Sequence, residues 1–406
     1  MAGGSVTKID ARVSLGLIAV LLVACTGESP SATPTGSSSP SDNSGATPAA
    51  SVPAHEAARV AELEFDGDIY DVPDPLPAGE LGELIRIQAA ADAPNHRLYR
   101  MLYHSQGVDG TDLAVTGTLW VPESTPPTDG YPIVALGVGT HNHFSDACPY
   151  SNFDAGNPPE YLDLIEELLA EGYVVAYPDY QGLGTRFPYP YSVGASMTRA
   201  LLDGARAARD LLGPDASDRV FLVGHSVGGY GVLAATKFGP TYDDGLDVRG
   251  VVSIDGSVDH YVAVASGMAE PGPSLLLFGI LGYTRAFAEL QLADVLTADA
   301  IEDLAFFDTT PCNTDPPWET ASTSEVIHTS PLERDDWVAR IEEGTPRAPS
   351  YPVFYPVADA EPGLEDRLVM AQRVGAEVAH YAAPVDHYSI IFRAAPDLLA
   401  WMESRR

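Results

Sequence analysis

A chain of 406 residues with 45% apolar side chains is long enough to bury one large core or two ordinary ones, which excludes a disordered class for its bulk. Its formal net charge is −35 and its only lysines are Lys8 and Lys237. A surface this acidic repels nucleic acid and anionic lipid headgroups, so neither is expected as a partner; the charge speaks to solubility or salt tolerance.

The N-terminus reads as an export signal. Lys8 and Arg12 are its basic region, and Val13 to Val23 is an apolar run too short to span a bilayer as a mature helix. The run ends in Leu22-Val23-Ala24-Cys25, which looks like a bacterial lipobox, so residues 1–24 are expected to be removed and Cys25 to be acylated. That lipid would be the chain's membrane contact, on a surface-anchored or secreted protein. Residues 25–53 are Ser, Thr, Pro, Gly and Ala with almost no apolar bulk; they predict a flexible tether. Residues 54–406 remain for the folded body.

From about residue 97 the pattern alternates strand and helix. Leu98–His104 and Leu113–Val121 read as strands, and Pro132–Gly137 as a short buried one. A helix over Tyr161–Glu171 carries Leu162, Ile165, Leu168 and Leu169 on one face, and the strand Tyr173–Tyr177 follows. Gly194–Leu212 predicts a helix, Val220–Val223 a strand, a helix begins after Ser226, and Val248–Ile254 is another strand. Residues 258–347 interrupt the rhythm, which resumes with a strand over Val353–Val357, a helix near Gly363–Val374, a strand near Glu377–Tyr381 and a last helix near Tyr388–Glu403. Apolar strands alternating with helices predict an α/β fold, with a mostly parallel central sheet, helices on both faces and an inserted helical cap at about 258–347.

Chemistry concentrates at Gly224-His225-Ser226-Val227-Gly228, which fits G-x-S-x-G with a strand before it and a helix after it. Ser226 is therefore the candidate nucleophile. A serine hydroxyl needs a base to take its proton and a carboxylate to orient that base. In an α/β-hydrolase both follow the serine in the chain. Of the later histidines, His387 lies on the loop after the last strand and is the candidate base; His380 lies within that strand and reads as structural, pointing into the sheet's packing. Asp359, two residues past the Val353–Val357 strand, is the candidate acid, with Glu361 and Asp255 as rivals. One oxyanion donor is expected from the N–H of Val227 at a helix start, the other from the loop Gly137–His143: Thr140 is preferred over His141 and Asn142. His141 and His143 lack a second pair at metal-ligand spacing, so no metal site and no cofactor is expected. The turn Asp179-Tyr180-Gln181-Gly182 reads as structural. If Cys25 carries lipid, Cys148 and Cys312 remain in an oxidising compartment and are expected to pair.

Together these residues resemble the secretory lipase family, of the lipase A kind, from about Leu98 to the C-terminus. Gly139-Thr140 followed by Cys148-Pro149-Tyr150-Ser151 stands where the family has a Gly-Thr-rich loop and a Cys-Ala-Pro-Ser element, here without the alanine. Val227 is bulkier than the residue often found after the family's serine. The acid and the final Asp-His element match in order, with His387 28 positions after Asp359. The resemblance implies a carboxylic ester hydrolase with a cap, and a disulfide from the oxyanion loop to that cap, which supports Cys148–Cys312. The apolar run Ser274–Tyr283 fits either a buried cap helix or an acyl-chain pocket. A monomer acting on lipid or other apolar esters is expected; the alternatives are a serine peptidase or acyltransferase on the same fold, or a non-catalytic surface lipoprotein.

Overall fold

Nine strands form one sheet in the order β1-β2-β3-β5-β4-β6-β7-β8-β9. They are β1 (Leu84–Ala89), β2 (His96–Gln106), β3 (Asp112–Pro122), β4 (Tyr131–Gly137), β5 (Val174–Pro178), β6 (Ala216–His225), β7 (Asp247–Ile254), β8 (Val353–Ala358) and β9 (Glu377–Tyr381). The structure is a computed structural model and describes residues 52–90, 96–140, 148–152, 159–257, 274–306, 321–346 and 350–406. The export signal, Cys25, nearly all of the tether, His141, Asn142, His143 and Cys312 lie outside the described residues. Among the described residues no helix is long and apolar enough to cross a membrane.

The first half of the sheet is antiparallel and the second half parallel. β1, β2, β3 and β5 pair antiparallel in succession, while β5, β4, β6, β7, β8 and β9 pair in parallel. The parallel centre is the apolar part: every residue of β4 and β5 is buried, as are Val220 to His225 of β6. Strands covered on both faces read as continuous apolar runs, as these do. The expected α/β class, a mostly parallel sheet with helices, is what the chain adopts.

Right-handed crossovers assign the faces. The helix α2 (Pro159–Ala170) carries the chain from β4 sideways to β5. The next helix, α3 (Gly194–Leu212), returns it across β4 to β6, and α4 (Val227–Phe238) continues in the same direction to β7. Travel in opposite directions puts α2 on one face and α3 with α4 on the other. The reversal makes a crevice at the carboxyl ends of β4 and β6, where open α/β sheets bind ligands. Gly137 and Gly224 are register partners there.

Between β7 and β8 lies the long interruption. Its described part includes the apolar helix α5 (Ser274–Ala286) and α6 (Asp335–Gly344). On α5, Leu277, Phe278, Ile280 and Tyr283 are buried. Phe278 stacks on Tyr191 with ring centroids 4.3 Å apart, and a Cβ at Gly282 would come within 2.3 Å of the Tyr191 carbonyl oxygen. The helix is thus packed hard onto the body.

Two expected elements differ. The single C-terminal helix is two, α8 (Ile390–Arg393) and α9 (Ala395–Glu403), after α7 (Leu364–Arg373). Pro396 accounts for the break, since it lacks an N–H for the i−4 bond and fits only a first turn. His380 does not point into packing: β9 is the sheet's edge strand and the His380 side chain is about half exposed, at 51%. Two elements had no sequence expectation: β1, and the first helix, α1 (Ala54–Leu63), whose buried Glu56 accepts from Arg97 and from the Tyr99 hydroxyl.

Candidate active site

Ser226 occupies the corner between β6 and α4, with φ 56° and ψ −124°. A non-glycine residue held in such a region costs about 1–3 kcal/mol and persists only where its surroundings impose it. Here they do: the Ser226 N–H donates to the Ile254 carbonyl, and the Ser226 carbonyl accepts from the N–H groups of Tyr230 and Ser257. The flanking glycines are obligatory. A Cβ on Gly224 would lie 2.3 Å from the Gly228 carbonyl oxygen, and one on Gly228 would lie 2.2 Å from that of Gly137. From Val220 to Thr236 every residue is buried except Ser226, which is partly open.

Val227 begins α4, where the first N–H groups have no intrahelical acceptor and sit at the positive end of the helix dipole. The loop after β4 meets the same corner: a Cβ on Gly139 would come within 2.9 Å of Ser226 Cβ and 3.0 Å of His225 Nδ1. The Gly139 N–H already donates to the Tyr161 hydroxyl at 2.9 Å. Thr140 follows, partly buried, with its hydroxyl 2.5 Å from that of Tyr191. The backbone of Gly139 therefore stands beside Ser226, with Thr140 next in the chain. Burial pushes the Tyr161 and Tyr191 phenols up, so both remain protonated.

The histidine and the acid separate. His387 Nδ1 lies 2.5 Å from Asp255 Oδ2, not from Asp359. Asp255 directly follows β7, with φ 42°, and is fully buried. Its Oδ1 accepts from the Ala358 N–H at 3.2 Å and faces Arg367 Nε at 3.2 Å. Arg367 also donates to the carbonyls of Pro362 and Glu361. Asp359, the carboxylate expected to hold the base, instead bonds His380 Nδ1 at 2.7 Å. The reason lies in strand order. β7 adjoins β6, which carries Ser226; Asp359 follows β8, one strand further out, and its N–H bonds the Tyr381 carbonyl of the edge strand. Glu361, the other rival, accepts from the His387 N–H at 3.0 Å and so holds the loop but not the imidazole.

Two further residues were not singled out from the sequence. His225 donates its Nε2–H to the His387 carbonyl at 2.7 Å, and its Nδ1 lies 2.5 Å from the Tyr161 hydroxyl. Tyr161 looked like one more residue at the start of a helix. At the turn read as structural, buried Asp179 accepts from the Ser151 N–H at 2.6 Å and from its hydroxyl at 2.5 Å. It thereby pins the Cys148–Ser151 element. Burial pushes the Asp179 carboxyl up to about 6. Cys148, expected to pair with Cys312, is buried.

A cavity of about 470 Å³ is lined by Val193, Phe238, Tyr283, Phe287 and Arg340 among others, and by neither Ser226 nor His387. No three His, Cys, Asp or Glu side chains gather as metal ligands among the described residues.

A model of the secretory lipase family matches residues 160–268, a stretch that holds Tyr161, His225, Ser226 and Asp255. Lipase A of Moesziomyces aphidis is 24% identical over 241 residues, which cover 56% of this chain and 50% of that protein. The chain thus spans about half the length of that curated relative. Two solved structures share the architecture. Candida antarctica lipase A in its closed state gives a TM-score of 0.66 at 15% identity, covering 84% of this chain and 85% of the other. The rice cell wall degrading esterase LipA of Xanthomonas oryzae gives 0.66 at 17%, covering 81% and 100%. At such identities the likeness is one of fold: the chain has an α/β-hydrolase fold. The resemblance to secretory lipases read from its sequence is met by the match to that family.

Proposed function

We propose that this chain is an exported, lipase-like carboxylic ester hydrolase that works through an acyl-enzyme on Ser226. The observation that carries the reading is one corner of the crevice. There a strained, partly open serine stands beside a glycine-rich loop, next to a loop whose histidine is held by a buried aspartate.

Each group has one part. Asp255 accepts the Nδ1–H of His387, which leaves Nε2 free of a proton and able to act as base. His387 takes the Ser226 proton as Oγ attacks the ester carbonyl. The developing oxyanion is met by the Val227 N–H and by the loop at Thr140. The alkoxide leaves with the proton from His387, and water repeats the cycle on the acyl-enzyme. No step needs a cofactor.

The substrate side rests on α5. Thr140 of the loop beside the serine corner is bonded to Tyr191, on which Phe278 of α5 stacks, so an apolar helix backs that side of the site. That suits an apolar acyl chain. The crossover at 258–347 serves as the cap, tied down by a Cys148–Cys312 disulfide, and the body is tethered outside the membrane through Cys25.

Hydrolysis of p-nitrophenyl esters of increasing acyl length is the test. Ser226→Ala is expected to lower kcat by at least about 10³-fold, the usual scale for losing a nucleophile. Activity is expected to rise from acetate to longer chains. Near-normal turnover by Ser226→Ala would end the proposal, and a preference for acetate alone would remove the acyl-pocket part of it.

A further inference from the structure

We infer that His225, the residue preceding Ser226, is a positioning residue that joins the oxyanion loop to the loop of the base, acting through Tyr161. The inference rests on the Ser226 and His387 reading above.

The directions of the hydrogen bonds follow from what each atom can do. The His387 carbonyl can only accept, so His225 Nε2 carries a proton and donates across 2.7 Å. In a neutral imidazole Nδ1 is then an acceptor, so the Tyr161 hydroxyl donates to it across 2.5 Å. The Tyr161 oxygen keeps a lone pair, and the Gly139 N–H donates to it at 2.9 Å. Gly139 N–H, Tyr161, His225 and the His387 carbonyl form one relay with a consistent polarity throughout. Burial holds the Tyr161 phenol protonated, as the relay requires.

Four separate segments meet in it: the loop after β4, the first turn of α2, the end of β6 and the loop after β9. His225 is 1% exposed, and its ring lies 4.5 Å from that of His387, centroid to centroid. A strand residue needed only for packing would be apolar, as Phe221 and Val223 are. Burying an imidazole is costly unless its nitrogens are satisfied, and both are. What the relay fixes is the distance between the oxyanion-loop backbone and the backbone that carries the base. A shift of about 1 Å in such a geometry can cost on the order of 10²-fold in rate.

Steady-state hydrolysis of a soluble p-nitrophenyl ester, with thermal unfolding as a folding control, tests this on H225Q, H225L, Y161F and H225L/Y161F. Glutamine places an amide N–H near the Nε2 position, so H225Q is expected to keep kcat within about 10-fold of the wild type. H225L is expected to lose about 30- to 100-fold in kcat with KM changed less than about 3-fold. Y161F, which keeps the ring, is expected to lose about 10-fold, and adding it to H225L to cost less than about 2-fold more, because the two act as one unit. Wild-type kcat in both H225L and Y161F overturns the inference, as does H225Q as poor as H225L or a fully additive double variant. If H225L does not fold, H225Q and Y161F decide by the same criteria. Ser226→Ala run alongside separates the two readings. Hydrolysis indifferent to Ser226→Ala overturns the esterase reading and this inference together; hydrolysis abolished by Ser226→Ala but untouched in the relay variants overturns this inference alone.

Discussion

Two aspartate–histidine pairs lie at the carboxyl edge of one sheet, and their contact distances are nearly the same. Asp255 to His387 is 2.5 Å and Asp359 to His380 is 2.7 Å. Their surroundings differ. The Asp255 side chain is fully buried, backed by Arg367 and by the Ala358 N–H, and its histidine is 30% exposed. The Asp359 and His380 side chains are 35% and 51% exposed on an edge strand. An exposed pair gains about 0–1 kcal/mol because water and salt screen it. A buried one fixes which imidazole nitrogen bears the proton, and that is what a catalytic acid is for. Distance alone would rank the two pairs as equals; burial and the neighbouring strand do not.

That contrast can be broken by substitution. Asp255→Asn keeps the shape but, with its oxygen on the Ala358 N–H, turns an NH2 donor toward His387 Nδ1 and so favours the wrong tautomer; kcat is expected to fall by about 10³- to 10⁴-fold in ester hydrolysis. A next-smaller effect is expected from Arg367→Met, which leaves the Asp255 carboxylate buried without its cation. Denaturant unfolding should show about 3 kcal/mol lost, the usual scale for breaking a buried pair from one side. Asp359→Asn should do least: kcat within about 3-fold of the wild type and a stability change under about 1 kcal/mol. A large kcat loss in Asp359→Asn with an active Asp255→Asn would reverse the ranking.

The serine corner was legible in the sequence because its constraint is local. Gly224, Ser226 and Gly228 are spaced by collisions within one turn, and the apolar run Val220–Val223 announces the strand that feeds it. His387 was legible as the histidine on the loop after the last strand. The acid was not, because both Asp255 and Asp359 stand just past a strand. Choosing between them needs the order of strands and the direction each side chain takes, which spacing does not carry. His380 was misplaced for a related reason: nothing in its five-residue strand says that the sheet ends there. The Ala54–Leu63 helix has little apolar signal in the sequence, because Val60 and Leu63 are nearly its whole apolar face and its anchor is a buried Glu56. The relay through His225 was hidden because its four parts lie far apart in the chain.

Labelling with a fluorophosphonate, followed by mapping of the modified peptide, tests the central claim most directly because it reads the nucleophile and its orienting acid in one assay. The account predicts a Ser226 adduct in the wild type, an adduct formed at a wild-type rate in Asp359→Asn, and one formed at least about 100-fold more slowly in Asp255→Asn. An adduct on another residue, or fast labelling in Asp255→Asn beside slow labelling in Asp359→Asn, would contradict it.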